Sequence, residues 1–256
     1  MRFAIECGPG ESLEWRKQHE SGKTYPGPTS PGPRIVAIRT LTRREPGLIT
    51  RRRSPSPLFR LTPPLDEEVR RFIANQEHAE LSYPEVGASA DSVPDGYTVD
   101  HNRIELGSGE RVWQRAVAAV RAWQMFNIPW LRLYWPDTPI QVGAVVAVAV
   151  RHFGFVSLNA CRIVYVVDED GAVTNAPVSR FGFAYGTLGE HAESGEERFT
   201  VEWDRASDKV WYDILAFSRP RHTLAKLAYP LSRSLQKAFG DCSKVAMSTA
   251  VAEGVR

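Results

Sequence analysis

The sequence predicts an α+β fold in which a curved, seven-stranded antiparallel sheet wraps around a long C-terminal helix, behind a disordered N-terminal tail. Three observations predict it. Residues 1–57 hold 8 of the 18 prolines, in runs such as YPGPTSPGPR and RRRSPSPLF, and show no sustained apolar periodicity. Such a segment cannot bury enough surface to offset the entropy of ordering it. From Trp130 to Ser218 the apolar residues recur with a period of two, the mark of strands. From 221 to 239 the period returns to 3.6, with Leu224, Leu227, Leu231, Leu235 and Phe239 on one helical stripe.

The elements follow in order. The tail, 1–57, reads as a targeting or polyanion-binding segment, or as a disordered leader upstream of a native start near Leu58. The folded domain is expected over 58–242, with 243–256 as a flexible C-terminal tail. Thr62, two prolines and then acidic residues open a helix over 65–76. LSYPEVGAS follows as a loop. GYTVDHNRIELGSG (96–109) reads as a strand with a slip near His101, because Tyr97 and Val99 set one phase and Ile104 and Leu106 the other. In residues 108–126, Val112, Trp113, Ala116, Val117, Val120 and Trp123 recur at helical spacing, with Ser108 as the expected N-cap. Six further strands are WLRLYW, QVGAVVAVAVRH, VSLNACRIVYVVD, RFGFAYGTL, ERFTVEWD and KVWYDILAFS. Short turns join most of them, which favours an antiparallel meander. Pro230 is expected to kink the closing helix.

Composition bounds the function. At 256 residues, 43% hydrophobic and 24% charged, the chain suits one substantial globular domain. The net charge of +2 is uneven: residues 1–60 carry 12 Arg or Lys against 5 Asp or Glu, which leaves the remainder acidic. Nucleic-acid binding by the core is therefore not expected. Cys7, Cys161 and Cys242 lie far apart without a CxxC pair, so no disulfide framework or zinc site is expected and a reducing, cytoplasmic setting fits. No apolar run reaches the length of a transmembrane helix. VGAVVAVAV (142–150) has the length of a transmembrane strand, but a buried central strand explains it more simply.

Several stretches resemble a known family. YPEVGAS (83–89), LGSGERVWQRAVAAVRAW (106–123), CRIVYVVDE (161–169), FGFAYGTLGEHAESGEERF (181–199) and AFSRP (216–220) are similar, in that order, to DUF1990, a UPF0548-like family of bacteria and plants catalogued as a domain of unknown function. The resemblance spans about residues 58–240 and excludes the tail. It implies the helix-grip fold of the birch-pollen-allergen-like and START (SRPBCC) superfamily, whose members bind lipids, hormones and polyketides in a cavity under the final helix, a minority being cyclases or hydroxylases. That implied fold agrees with the element order, and fold alone does not decide function.

The candidate chemistry centres on 181–199. As a strand, 181–187 places Phe181, Phe183, Tyr185 and Thr187 on one face and Gly182, Ala184 and Gly186 on the other, where a backbone or a flat ligand approaches closely, or where the strand simply curves. GEHAESGEERF reads as a polar hairpin holding His191, Glu193, Glu196 and Glu197. A proton-transfer role would fall to His191 with Glu196, or to Tyr185; a metal site and cofactors are not expected. The expected ligand-binding residues are Tyr83 as a phenolic donor, Trp123, Phe183 and Tyr185 as lining, and Arg162 and Arg219 as partners for an anionic group. Each has a structural alternative: Ser218 and Pro220 open the last helix, and the Arg162 face is either solvent or cavity. Three functions follow: a carrier of a small apolar or amphipathic ligand without covalent chemistry, a cyclase, lyase or hydrolase on the same fold, and a membrane-associated β protein.

Overall fold

The computed structural model describes Cys7 and residues 59–152, 154–171, 177–189, 191, 193–221 and 229–254. The remaining residues of the expected N-terminal tail lie outside the described residues, as do Leu224 and Leu227 of the closing helix. Eight strands form one antiparallel sheet: β1 (Phe59–Arg60), β2 (Thr98–Ser108), β3 (Leu131–Tyr134), β4 (Val145–His152), β5 (Phe155–Glu169), β6 (Val178–Thr187), β7 (Glu193–Asp204) and β8 (Lys209–Pro220). The seven long strands run in the order β2-β8-β7-β6-β5-β4-β3, and the short β1 pairs with β5. The meander is as expected, with β2 closing against the last strand because its chain crosses over through α2 (Glu110–Arg121).

The sheet curls around α3 (Tyr229–Glu253) in a helix-grip arrangement. α2 joins α3 on the concave side, where Ala116, Ala119 and Val120 meet Phe183, Phe199, Val201 and Met247 in the main core. α1 (Asp66–Gln76) covers the convex side, packing Val69 and Phe72 on Ala147, Ala149, Leu158 and Ala160. The apolar run in β4 is thus covered on both faces, Val146 and Val148 by the main core and Ala147 and Ala149 by α1. At the start of α1, the Glu68 carboxylate accepts from the Leu65 N–H at 2.9 Å and binds Arg60 at 2.7 Å, answering one of the free amides of a helix N-terminus.

Several expectations are corrected. β2 alternates without a slip at His101; its register shift falls between Glu105 and Gly107. This keeps Asp100, Asn102 and Ile104 facing inward. Gly109, at φ 87°, replaces Ser108 as the cap of α2, because Ser108 still pairs with Lys209 in the sheet. The polar hairpin of 189–199 is much shorter than expected, since β7 begins at Glu193. Residues 243–253 are not a flexible tail: they continue α3, with Ser243, Met247 and Val251 buried. Pro230 is the second described residue of α3, and the kink expected there falls at the edge of residues outside the described ones. Cys7 and Cys242, expected unpaired, form a disulfide.

Candidate functional site

A cavity of about 290 Å3 lies between the concave face of the sheet and the N-terminal half of α3. Strand alternation builds its wall. In β6, Tyr185 and Thr187 face inward, opposite Glu197 and Gly195 of β7. β8 adds Ile214 and Ala216, and α3 closes the space with Leu235, Gln236 and Phe239. The helix comes close at Gly240, where a Cβ would press on the Asn102 side chain. Asn102 in turn accepts from Lys244 at 3.2 Å.

The polar groups in this wall are few. The Tyr185 hydroxyl donates to Glu197 at 2.9 Å. Glu197 sits deep in the protein while presenting surface to the cavity, and burial pushes its carboxyl up to about 7 although the Tyr185 hydrogen bond works the other way. Burial also holds the Tyr185 phenol and the Cys161 thiol in their protonated forms. Asp100 is held by Arg233 through both carboxylate oxygens, one of them at 2.7 Å. At the β6–β7 turn, His191 accepts from the Glu193 N–H at 3.0 Å, and burial lowers the His191 imidazole to about 4, leaving it neutral at pH 7. Glu193 Oε2 and Trp130 Nε1 are buried without a hydrogen-bond partner among the described residues. No three His, Cys, Asp or Glu side chains among the described residues converge as a metal site.

Other expected site residues fall elsewhere. Tyr83 lies on the convex face, where it donates to Glu196 Oε2 at 2.6 Å. The same carboxylate accepts from the Gly87 N–H at 2.7 Å, the Ser89 N–H at 3.0 Å and the Ser89 hydroxyl. Glu196 therefore pins the YPEVGAS loop to the sheet and is not placed to exchange a proton with His191. The small face of β6 is what admits that loop: a Cβ on Gly186 would collide with Tyr83 and Leu81. Arg162 lies outside the cavity, half-buried on the convex side; it donates to the Gln76 and Glu77 carbonyls at 2.9 and 2.8 Å and so closes the C-terminus of α1. The Arg219 guanidinium stacks 4.5 Å over the Tyr97 ring. Trp123 and Phe183 pack on one another, centroids 4.7 Å apart, in the core beside the cavity, and Trp123 Nε1 donates to the Thr138 carbonyl at 2.9 Å. Of the expected residues, Tyr185 and His191 line the cavity with their side chains in place to meet its contents.

Comparison with known proteins places this arrangement. A family model described as "Domain of unknown function (DUF1990)" matches residues 82–244. The chain belongs to the DUF1990 family. A UPF0548 protein of Dictyostelium discoideum is 33% identical over 220 residues, covering 78% of this chain and 99% of that protein. A UPF0548 protein of Deinococcus radiodurans is 38% identical over 191 residues, covering 70% of this chain and 92% of its own length. Among solved structures, a norcoclaurine synthase point mutant from Thalictrum flavum is 15% identical with a TM-score of 0.38, covering 63% of this chain and 98% of that one.

The DUF1990 match takes in the pinned loop, all seven long strands and the cavity-facing turns of α3. Asp100 and Trp130 enter the site from positions that the sequence did not mark. Asp100 is hidden by the expected slip in β2. Glu197 stood among the hairpin carboxylates, and its role emerges once β7 is seen to begin early enough to aim it inward.

Proposed function

We propose that this DUF1990 protein binds a small apolar or amphipathic molecule between the sheet and the C-terminal helix. The observation that carries the reading is the cavity of about 290 Å3, apolar in most of its wall and furnished with a few convergent polar groups, the usual composition of a ligand site. The partner is a small molecule and not nucleic acid. The reading includes a cytoplasmic location, where a disulfide such as Cys7–Cys242 is an exception. Among the described residues no helix is long and apolar enough to cross a membrane.

The test is uptake of Nile red, a neutral apolar fluorophore, by the full chain and by Ala216→Phe, which places a ring in the cavity. The unaltered chain is expected to bind the dye in a saturable manner and the variant at least tenfold more weakly. Equal uptake by both would overturn the reading. A second reading, acid–base catalysis in the same cavity, is favoured by one observation: Tyr185 and Glu197 form a buried donor–acceptor pair whose carboxyl titrates at about 7, where a general base works best.

A further inference from the structure

We propose that the bound molecule carries a protonated amine, paired with the Glu197 carboxylate, and that its apolar remainder lies along the inner faces of β6 and β8. The proposal rests on the ligand-binding reading above and adds the class of ligand.

Charge carries it. Three carboxylates face the cavity, Asp100, Glu193 and Glu197, while the Glu196 side chain turns to the convex side, and no Lys or Arg lines the cavity among the described residues. Of the three, Asp100 is already answered by Arg233. Glu197 receives one neutral hydroxyl, from Tyr185, and Glu193, hydrogen-bonded to Ser232, leaves its Oε2 without a partner among the described residues. Of the cations near the wall, Arg233 is engaged with Asp100 and Gln236 and Lys244 with Asp241 and Asn102, while Arg221, near His191, is exposed and donates to the Gly189 carbonyl. His191 is neutral at pH 7.

An anionic head group brought into this wall would lose its hydration beside carboxylates with no cation to receive it. An ammonium group does the reverse: it supplies the charge that a buried carboxylate needs and makes a charge-assisted hydrogen bond with it. Tyr185 fixes the position of that carboxylate by holding one of its lone pairs. Glu193 and Glu197 share the inner face of β7 four residues apart, about 13 Å at the rise of a strand, so one amine meets one of them. Glu197 is the deeper. Glu193 then faces a second donor, such as a hydroxyl, nearer the β6–β7 turn. Trp130 Nε1 is one neutral donor at the β3 side of the cavity; it suits a carbonyl or ether oxygen and is too weak to offset the desolvation of a carboxylate.

The test compares three probes of one chain length, octylamine, octanol and octanoate, titrated into the full chain at pH 7 by calorimetry. Octylamine is expected to bind at least tenfold tighter than octanol, with octanoate the weakest. Glu197→Gln is expected to bring the amine-to-alcohol ratio within threefold of one, which also separates a specific pair from general attraction to an acidic protein. Octanoate binding as tightly as octylamine, or an amine preference that survives Glu197→Gln, would overturn the proposal. Should the variant not fold, the ranking in the unaltered chain decides alone. Failure of all three probes in a chain that still takes up Nile red overturns the amine assignment and spares the ligand-binding reading; failure of the dye as well overturns both.

Discussion

Successive residues on a strand point to opposite faces, and that alternation gives Glu196 and Glu197 different chemistry. Glu196 turns outward to four donors and holds a loop; Glu197 turns inward to one phenol and a cavity. The raised carboxyl of Glu197 has a consequence for stability. Its folded value, about 7 against 4.5, means that the protonated form is favoured by folding, so the stability it contributes is present below pH 4.5 and lost as pH rises through 7. Between pH 5 and 8 the unaltered chain is therefore expected to lose about 2 kcal/mol that Glu197→Gln does not lose. Denaturant unfolding of both at the two pH values checks this, and parallel pH profiles would refute it. At this scale the sequence was legible in part. The inward face of β6 was read correctly from the aromatic alternation of Phe181, Phe183 and Tyr185. The roles of Glu196 and Arg162 were not legible, because a side chain's partners come from the YPEVGAS loop and α1, which are distant in sequence and leave no local pattern.

Among the elements, α3 differs most from its sequence pattern. The leucine stripe ends at Phe239, and the residues beyond it are small, polar or singly apolar, so periodicity gives no reason to continue the helix. Tertiary packing does: Met247 and Val251 fill the space between α2 and the strands. Met247→Ala is expected to cost about 3 kcal/mol, as for other fully buried methionines, and a cost under about 0.5 kcal/mol in denaturant unfolding would show the C-terminal turns to be loosely held. β7 was cut short in the sequence reading for a related reason. Glu193, Ser194, Gly195 and Glu196 look like a solvated turn, yet each pairs with β8, from Pro220 to Phe217. Ser194 donates to the Ser82 carbonyl at 2.8 Å and Thr187 to the Gly195 carbonyl at 3.1 Å, so these polar groups are satisfied inside the fold, Glu193 Oε2 being the exception among the described residues.

For the molecule as a whole, the order of elements was legible, because the changes from a period of 3.6 to 2 and back are written in the apolar residues. The cavity was not. It depends on how far the sheet curls and how closely α3 approaches at Gly240, and neither follows from the pattern of any one segment. The Cys7–Cys242 bond joins residues 235 positions apart and was equally invisible to spacing arguments. It packs with Ile128, Trp130 and Phe239, so the far end of the chain is tied beside residues that also border the cavity. The proposed binding of a small molecule rests on the cavity and the charge of its wall. The most direct measurement is native mass spectrometry of the full chain purified from cells, set against its denatured mass. A reproducible adduct of on the order of a few hundred daltons, absent from Ala216→Phe, is the expected result; equal native and denatured masses would contradict a cavity that holds its ligand.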